Sequence, residues 1–206
     1  MTQLARRTLL LALPAALAAC SSILPSGGPA PQLFTLTPAT DFPPGLASAK
    51  AQLLVDEPVV TTGLDTERIA LMRGPTMIDY FAGASWTDRA PVMTQGLIVE
   101  SFENSGKIAA VARESLALRA DFILEPELRD FAAHYEGADG IPTIRVRLGA
   151  KLVHLPDRQI VAERSFEAAQ PAAQDSEPAV VDAFDTAFRG VLRDLVAWAL
   201  PTIAGK

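Results

Sequence analysis

Cysteine is almost absent from this 206-residue sequence, which contains it only once, at Cys20. A single thiol cannot form a disulfide within the chain, so the core alone must stabilise the fold. Histidine is also scarce, because His134 and His154 are the only two and neither has further ligands at metal-binding spacing. The sequence therefore predicts no metal site and no cofactor.

The familiar catalytic motifs are missing as well. Ser85 lies in the run GASWT, which lacks the second glycine of a nucleophile elbow. The glycines at 137, 140 and 149 form neither a phosphate-binding loop nor a dinucleotide fingerprint. We therefore predict that the protein is not an enzyme. Carboxylates that converge from distant positions remain an open alternative.

The N-terminus has no apolar run long enough to cross a bilayer. Arg6 and Arg7 precede an apolar stretch over 8–19 that contains Pro14, whereas a membrane-spanning helix needs about 20 apolar residues. A basic head, a short apolar segment and small residues before a cleavage point are typical of a secretory signal peptide. We predict that residues 1–19 are such a signal and are removed.

The end of this segment reads Leu17-Ala18-Ala19-Cys20 and resembles the lipobox of bacterial lipoproteins. The resemblance implies lipidation of Cys20, which becomes the new N-terminus. Loss of residues 1–19 would take the net charge from −6 to −8. An acidic body of this kind argues against binding to nucleic acid and leaves membrane attachment to the acyl chains.

Residues 20–31 are rich in Pro, Gly and Ser, and this composition predicts a flexible tether. We expect one globular domain over 32–206. The predicted strands are 33–36, 52–60, 68–73, 76–81, 108–112, 122–128, 144–152 and 159–166. Gly74-Pro75 and Pro156-Asp157 are expected to turn two strand pairs.

Two amphipathic helices are predicted, at about 90–104 and 177–200. We expect Asp88 and Ser176 to cap their N-termini, and Gly106 and Pro201 to end them. The predicted fold class is α/β, with a largely antiparallel or mixed sheet covered by these two helices. We also expect Glu125 and Glu127 to pair with Arg145 and Arg147 across adjacent strands.

The order of motifs along the chain resembles one family. A strand that begins at Arg68 leads through Tyr80 and Trp86 into an amphipathic helix, and Phe122–Leu128, Tyr135-Glu136-Gly137 and Arg164-Ser165-Phe166 follow. This succession resembles the ABC-type transport auxiliary lipoprotein family. The helix start reads Trp86-Thr87-Asp88-Arg89-Ala90, so it lacks the proline of the family pattern and has Ala where that pattern has Leu.

The resemblance implies a non-catalytic accessory lipoprotein of an MCE-type ABC lipid transport system. Its partners would be an MCE-domain protein and the associated permease and ATPase. From the periplasmic side, the lipoprotein would join this assembly to the outer membrane. The resemblance also allows a ring of identical subunits. Ser21, directly after Cys20, favours the outer membrane by resemblance to enterobacterial sorting. Tyr80 and Trp86 are candidates for the interface or for the core. A stand-alone lipid or small-ligand carrier, with a pocket between sheet and helices, and a purely structural lipoprotein remain open alternatives.

Overall fold

A computed structural model describes residues 30–113, 119–136 and 140–205. These ranges contain nine strands and two helices in the order β1 Gln32–Phe34, β2 Ala49–Val55, β3 Val59–Val60, β4 Arg68–Arg73, β5 Met77–Trp86, α1 Ala90–Ser105, β6 Ile108–Arg113, β7 Phe122–Tyr135, β8 Thr143–His154, β9 Gln159–Pro171 and α2 Glu177–Ala204. The strands form one mixed sheet. The predicted fold class is confirmed.

Strand β7 organises the sheet because both of its edges are paired. Along one edge it runs antiparallel to β8, which pairs in turn with β9. Along the other edge it pairs in parallel with three short strands in succession, β2, β3 and β4. At about 3.3 Å per residue a 14-residue strand spans roughly 46 Å, which is long enough for three partners end to end. Beyond them, β4 leads to β5 and β1, and β2 leads to β6.

Helix α2 covers one face of this sheet. Its apolar stripe is buried against β8, β9 and β2, and α1 packs beside it and against β6. The prediction that Pro201 ends α2 is wrong, because the helix continues to Ala204. Proline removes a single backbone hydrogen bond at this position. Burial of Leu200 and Ile203 in the core offsets that loss.

Helix α1 begins at Ala90, as predicted, but the prediction that Asp88 caps it is wrong. Its N-cap is Arg89, with an extended ψ of 139°, and the Asp88 carboxylate accepts a 2.7 Å hydrogen bond from the Arg89 backbone N–H. The Arg89 guanidinium binds Glu57, between β2 and β3, and Asp65, in the loop before β4, and so holds both segments at the start of the helix. Gly106, in the left-handed conformation at φ 59°, ends α1 as predicted.

The two predicted turns join antiparallel strand pairs. The segment Gly74–Thr76 connects β4 to β5, and the four residues Leu155–Arg158 connect β8 to β9. Ser176 precedes α2 as its N-cap, although its side chain makes no capping hydrogen bond. These local predictions are confirmed. The strands β7 and β9 extend further than predicted, whereas β1 ends at Phe34 instead of 36 and the predicted segment 52–60 is divided into β2 and β3.

Candidate functional site

Trp86 lies in the centre of the core. Its side chain is 1% exposed, and its ring meets Phe184 of α2 edge-on at 5.3 Å and Phe131 of β7 at 5.7 Å between centroids. Its backbone N–H donates a 2.6 Å hydrogen bond to the Glu67 carbonyl. Trp86 thus joins the end of β5 to the helix that covers the sheet.

Tyr80 has a different set of neighbours. Its hydroxyl donates a 3.0 Å hydrogen bond to the Gly63 carbonyl, and the Arg68 guanidinium carbon lies 3.9 Å from the centre of its ring. Gly63 also lies against Ile78, since a Cβ there would come within 3.1 Å of Ile78 Cδ1. Tyr80 therefore holds the loop before β4 against β5. The third candidate residue, Cys20, lies outside the described residues.

The uncovered side of β7, β8 and β9 carries most of the exposed charge of the long strands. Side chains that alternate with the buried ones form this surface, which we call the outer face: Glu125, Glu127, Asp130, Arg145, Arg147, Lys151, Glu163 and Glu167. Apart from Arg129 on β7, the basic residues of this face lie on β8, and the acidic ones lie on either side of it. The outer face is therefore a basic row between two largely acidic rows.

The expected pairs across this face are wrong. Glu125 lies opposite Lys151 and Glu127 opposite Gly149, while Arg147 lies opposite Asp130. A β-bulge at Arg129 shifts the register of β7 beyond Leu128 and sets the later pairs. The strand predicted from the sequence ends at Leu128, before the two polar residues Arg129 and Asp130 that interrupt the alternation, so neither the bulge nor the true pairs were predicted.

Arg129, the bulge residue, is held on the outer face by two contacts. It donates hydrogen bonds of 2.9 and 2.7 Å to Glu127 Oε2, and its guanidinium lies over Gly149, where a Cβ would be 2.9 Å from the guanidinium carbon. The hydrogen bonds from Arg129 lower the pKa of the Glu127 carboxyl. The same contacts raise the pKa of Arg129, so both groups stay charged near neutral pH.

Two shallow clefts open on the outer face. One has a volume of about 300 Å³ and lies around Arg129, Gly149 and Lys151, with Val59 of β3 at its side. The other, of about 590 Å³, lies around Asp130, Arg147 and Glu167. Charged side chains of both signs line both clefts, but apolar atoms make up the larger part of the first, whereas the second is mainly polar and suits a polar partner.

The end of the sheet where β4, β7 and α2 meet carries a second set of polar contacts. The Tyr135 hydroxyl donates a 2.6 Å hydrogen bond to Asp175, and the Arg73 guanidinium carbon lies 5.3 Å from the Tyr135 ring centre. Burial raises the pKa of Tyr135 well above its ordinary value, and the hydrogen bond to Asp175 raises it further. These contacts fix the loop that leads into α2.

The described residues contain no group of three or more His, Cys, Asp or Glu side chains placed to hold a metal ion. Over the same ranges, neither helix has the length and apolar character needed to cross a membrane.

This fold and surface define a class of small α/β domains with one face buried under helices and the other open and charged. Within that class the family is clear. The chain belongs to the ABC-type transport auxiliary lipoprotein component family, whose model matches residues 34–196. The expected family is thus confirmed.

Similar proteins agree with this assignment. A crystal structure of a Xanthomonas campestris protein is 34% identical, with a TM-score of 0.77 over 83% of this chain and 95% of that one. A Chlamydia trachomatis protein shares the fold at 10% identity, with a TM-score of 0.56 over 77% of this chain and all of its own. An uncharacterized protein of Bradyrhizobium diazoefficiens is 27% identical over 188 residues, which are 89% of this chain. The chain spans about half, 49%, of the length of that relative.

Proposed function

We propose that the protein is a lipid-anchored, periplasm-facing accessory component of an MCE-type ABC lipid transport system, where it acts as a non-catalytic adaptor between the MCE protein and the outer membrane. The observation that carries this proposal is the family match over 34–196, which runs from β1 into α2 and so takes in nearly the whole described domain. The family description, an auxiliary transport component, supports a role in binding rather than in catalysis.

The proposed adaptor would use the outer face to hold its partner. No ion pair in the described part of the chain involves Arg147 or Lys151, although acidic side chains flank both. A partner that fits this face would place carboxylates over the basic row of β8 and cations over the acidic rows. Binding of that kind is steered by charge and weakens with added salt.

The interior supports an adaptor over a lipid carrier. A carrier would place its pocket between the sheet and α2, but aromatic side chains fill the centre of that layer. Phe131 of β7 contacts Phe184 and Phe188 of α2, with ring centres 5.0 and 5.6 Å apart, and Trp86 packs beside them. Close packing of this kind leaves an acyl chain no room at this position.

Co-purification tests the proposal. The full-length protein is expressed in its own cells with the MCE-domain protein, and each partner is captured in turn through a tag. We expect the wild type to retain the MCE protein, and R147E/K151E to lose it. The matched control is K50E/R158E, which makes the same change in charge at two exposed positions on β2 and in the β8–β9 turn.

Each result has one meaning. Equal capture by both double variants would show that the outer face is not the docking surface. Failure of the wild type to capture the MCE protein would overturn the adaptor function. Fractionation of the cell envelope on a sucrose gradient tests the membrane: we expect the protein with the outer membrane, and its recovery with the inner membrane would contradict that part of the proposal.

A further inference from the structure

The turn between β4 and β5 exposes two large apolar side chains in succession. Met77 is 58% exposed and Ile78 is 40% exposed. Neighbouring side chains of a strand point to opposite faces of the sheet. Both residues lie at the end of β5 away from the residues that pair with β1, level with Arg73 of β4 and Tyr135 of β7, and Ile78 also lies beside Gly63. We call residues 74–78 the hairpin tip. Contact of these two apolar side chains with water is unfavourable, so the tip is suited to an apolar partner.

The direction of β1 relates this tip to the membrane anchor. Strand β1 runs parallel to β5, with Gln32 beside Ala84 and Phe34 beside Trp86. Pro31, the residue before β1, therefore lies towards the Met77 end of β5. Met77 and Ala84 are seven residues apart in β5, which corresponds to at most about 23 Å.

The length of chain before β1 allows the anchor and the tip to touch the same surface. Cys20 precedes Gln32 by 12 residues, and a chain of 12 residues spans at most about 40 Å. This reach exceeds the distance from Ala84 to Met77. A bilayer that holds an acyl group at Cys20 can thus also meet the hairpin tip.

We propose that the β4–β5 hairpin tip is a second membrane contact, which inserts Met77 and Ile78 into the interfacial layer of the leaflet that holds the lipid anchor. This inference rests on the proposed lipidation of Cys20. The contact would rest on the apolar side chains of Met77 and Ile78. Electrostatic attraction would not add to it, because a mature chain with a net charge of −8 is not attracted to anionic lipid. Arg73 and Tyr135, which stack beside the hairpin, suit the polar edge of that layer.

Such a contact would orient the domain. An acyl anchor on a tether leaves rotation free, whereas a second point of attachment fixes which end of the sheet faces the lipid. The strands of the outer face would then rise from the membrane, with Ile160 at the far end of the sheet, where β9 begins beside Val153.

A single introduced thiol tests the proposal. Cys20 is the only cysteine of the chain, and in the lipidated protein its sulfur carries a diacylglycerol group, so M77C and I160C each give one labelling site. The two positions are matched, because Met77 is 58% and Ile160 is 57% exposed. Each full-length lipidated variant is labelled with bimane and reconstituted into vesicles of phosphatidylethanolamine and phosphatidylglycerol.

We expect the label of M77C to shift to shorter wavelength, to lose its quenching by aqueous iodide and to be quenched by nitroxide-labelled lipid, while the label of I160C stays in water. Equal, water-exposed labels would overturn the proposal. Protection at M77C that requires the MCE protein would overturn it in favour of a protein contact. Failure of the wild type to remain with the vesicles would refute the lipid anchor itself. That result is distinct from a water-exposed label on a protein that stays bound to the vesicles.

Discussion

The two faces of β7 and β8 are built from alternate residues of the same strands, but they have opposite characters. On the inner face, Leu124, Phe131 and Leu148 are almost completely buried under α2. On the outer face, Glu127 and Arg147 remain exposed. Strand geometry lets one segment serve both purposes, because a substitution on one face need not disturb the other. The inner face should therefore govern stability, and the outer face should govern binding.

The largest effect is expected for Trp86→Ala. Removal of a fully buried aromatic side chain costs about 3–5 kcal/mol, because it leaves a cavity beside Phe131 and Phe184. Urea unfolding followed by circular dichroism measures the loss. Trp198→Ala is the matched control, since Trp198 is only half-buried and contacts Phe166 at 5.6 Å. A loss for Trp86→Ala no greater than that of the control would contradict the central place of Trp86 in the core under α2.

An intermediate effect is expected for Tyr135→Phe, which keeps the ring and removes the 2.6 Å hydrogen bond to Asp175. Loss of such a bond costs about 1–2 kcal/mol. The effect should depend on pH because the folded protein raises the pKa of Tyr135 above its unfolded value of 10.0.

The sign of this dependence follows from which state holds the proton. Above about pH 10 an unfolded tyrosine loses its proton while the folded one retains it, so the contribution of Tyr135 is complete below that pH and declines above it. Unfolding free energies of both proteins, measured on either side of pH 10, should therefore converge as the pH rises. A difference that stays constant or grows would contradict this assignment.

The smallest effect on stability is expected for Gly149→Ala, on the outer face. The new Cβ would meet the Arg129 guanidinium at 2.9 Å, but that group is the end of a flexible side chain and can move aside. Alanine is favoured over glycine within a strand by roughly 0.5–1 kcal/mol, so the net change should stay within about 1 kcal/mol. Movement of Arg129 should raise the pKa of Glu127 towards its ordinary value.

Titration of the Glu127 carboxyl by NMR measures that shift. Gly190→Ala, in α2, provides the control because no atom lies within 4 Å of its added Cβ. It should leave the pKa of Glu127 unchanged. A stability loss for Gly149→Ala close to that of Trp86→Ala would show that the outer face is part of the folding core.

Local patterns predicted much of this fold. The alternation of Ile144, Val146 and Leu148 with Arg145 and Arg147 correctly indicated one buried and one wetter face, and the helical periodicity located both helices. These signals arise within single elements. They depend on propensity and on the spacing of apolar residues, both of which the sequence displays directly.

The errors concern relations between elements. The parallel pairing of β2, β3 and β4 with one edge of β7 depends on contacts between distant segments. The bulge at Arg129 interrupts the alternation between Leu128 and Phe131, but the residues that then face each other depend on the neighbouring strand. Likewise, the extension of α2 past Pro201 depends on burial of Ile203 against the rest of the domain. The neighbours of Trp86 and Tyr80 could not be predicted either, because aromatic side chains occur in cores and in interfaces alike.

The most direct test of the account is a native mass spectrum of the wild-type protein, purified in detergent from its own membrane. We predict a complex that contains the MCE-domain protein together with one or more copies of this chain, each cut before Cys20 and carrying acyl groups there. A free monomer with a co-purified lipid in its interior would contradict the account and favour a stand-alone carrier.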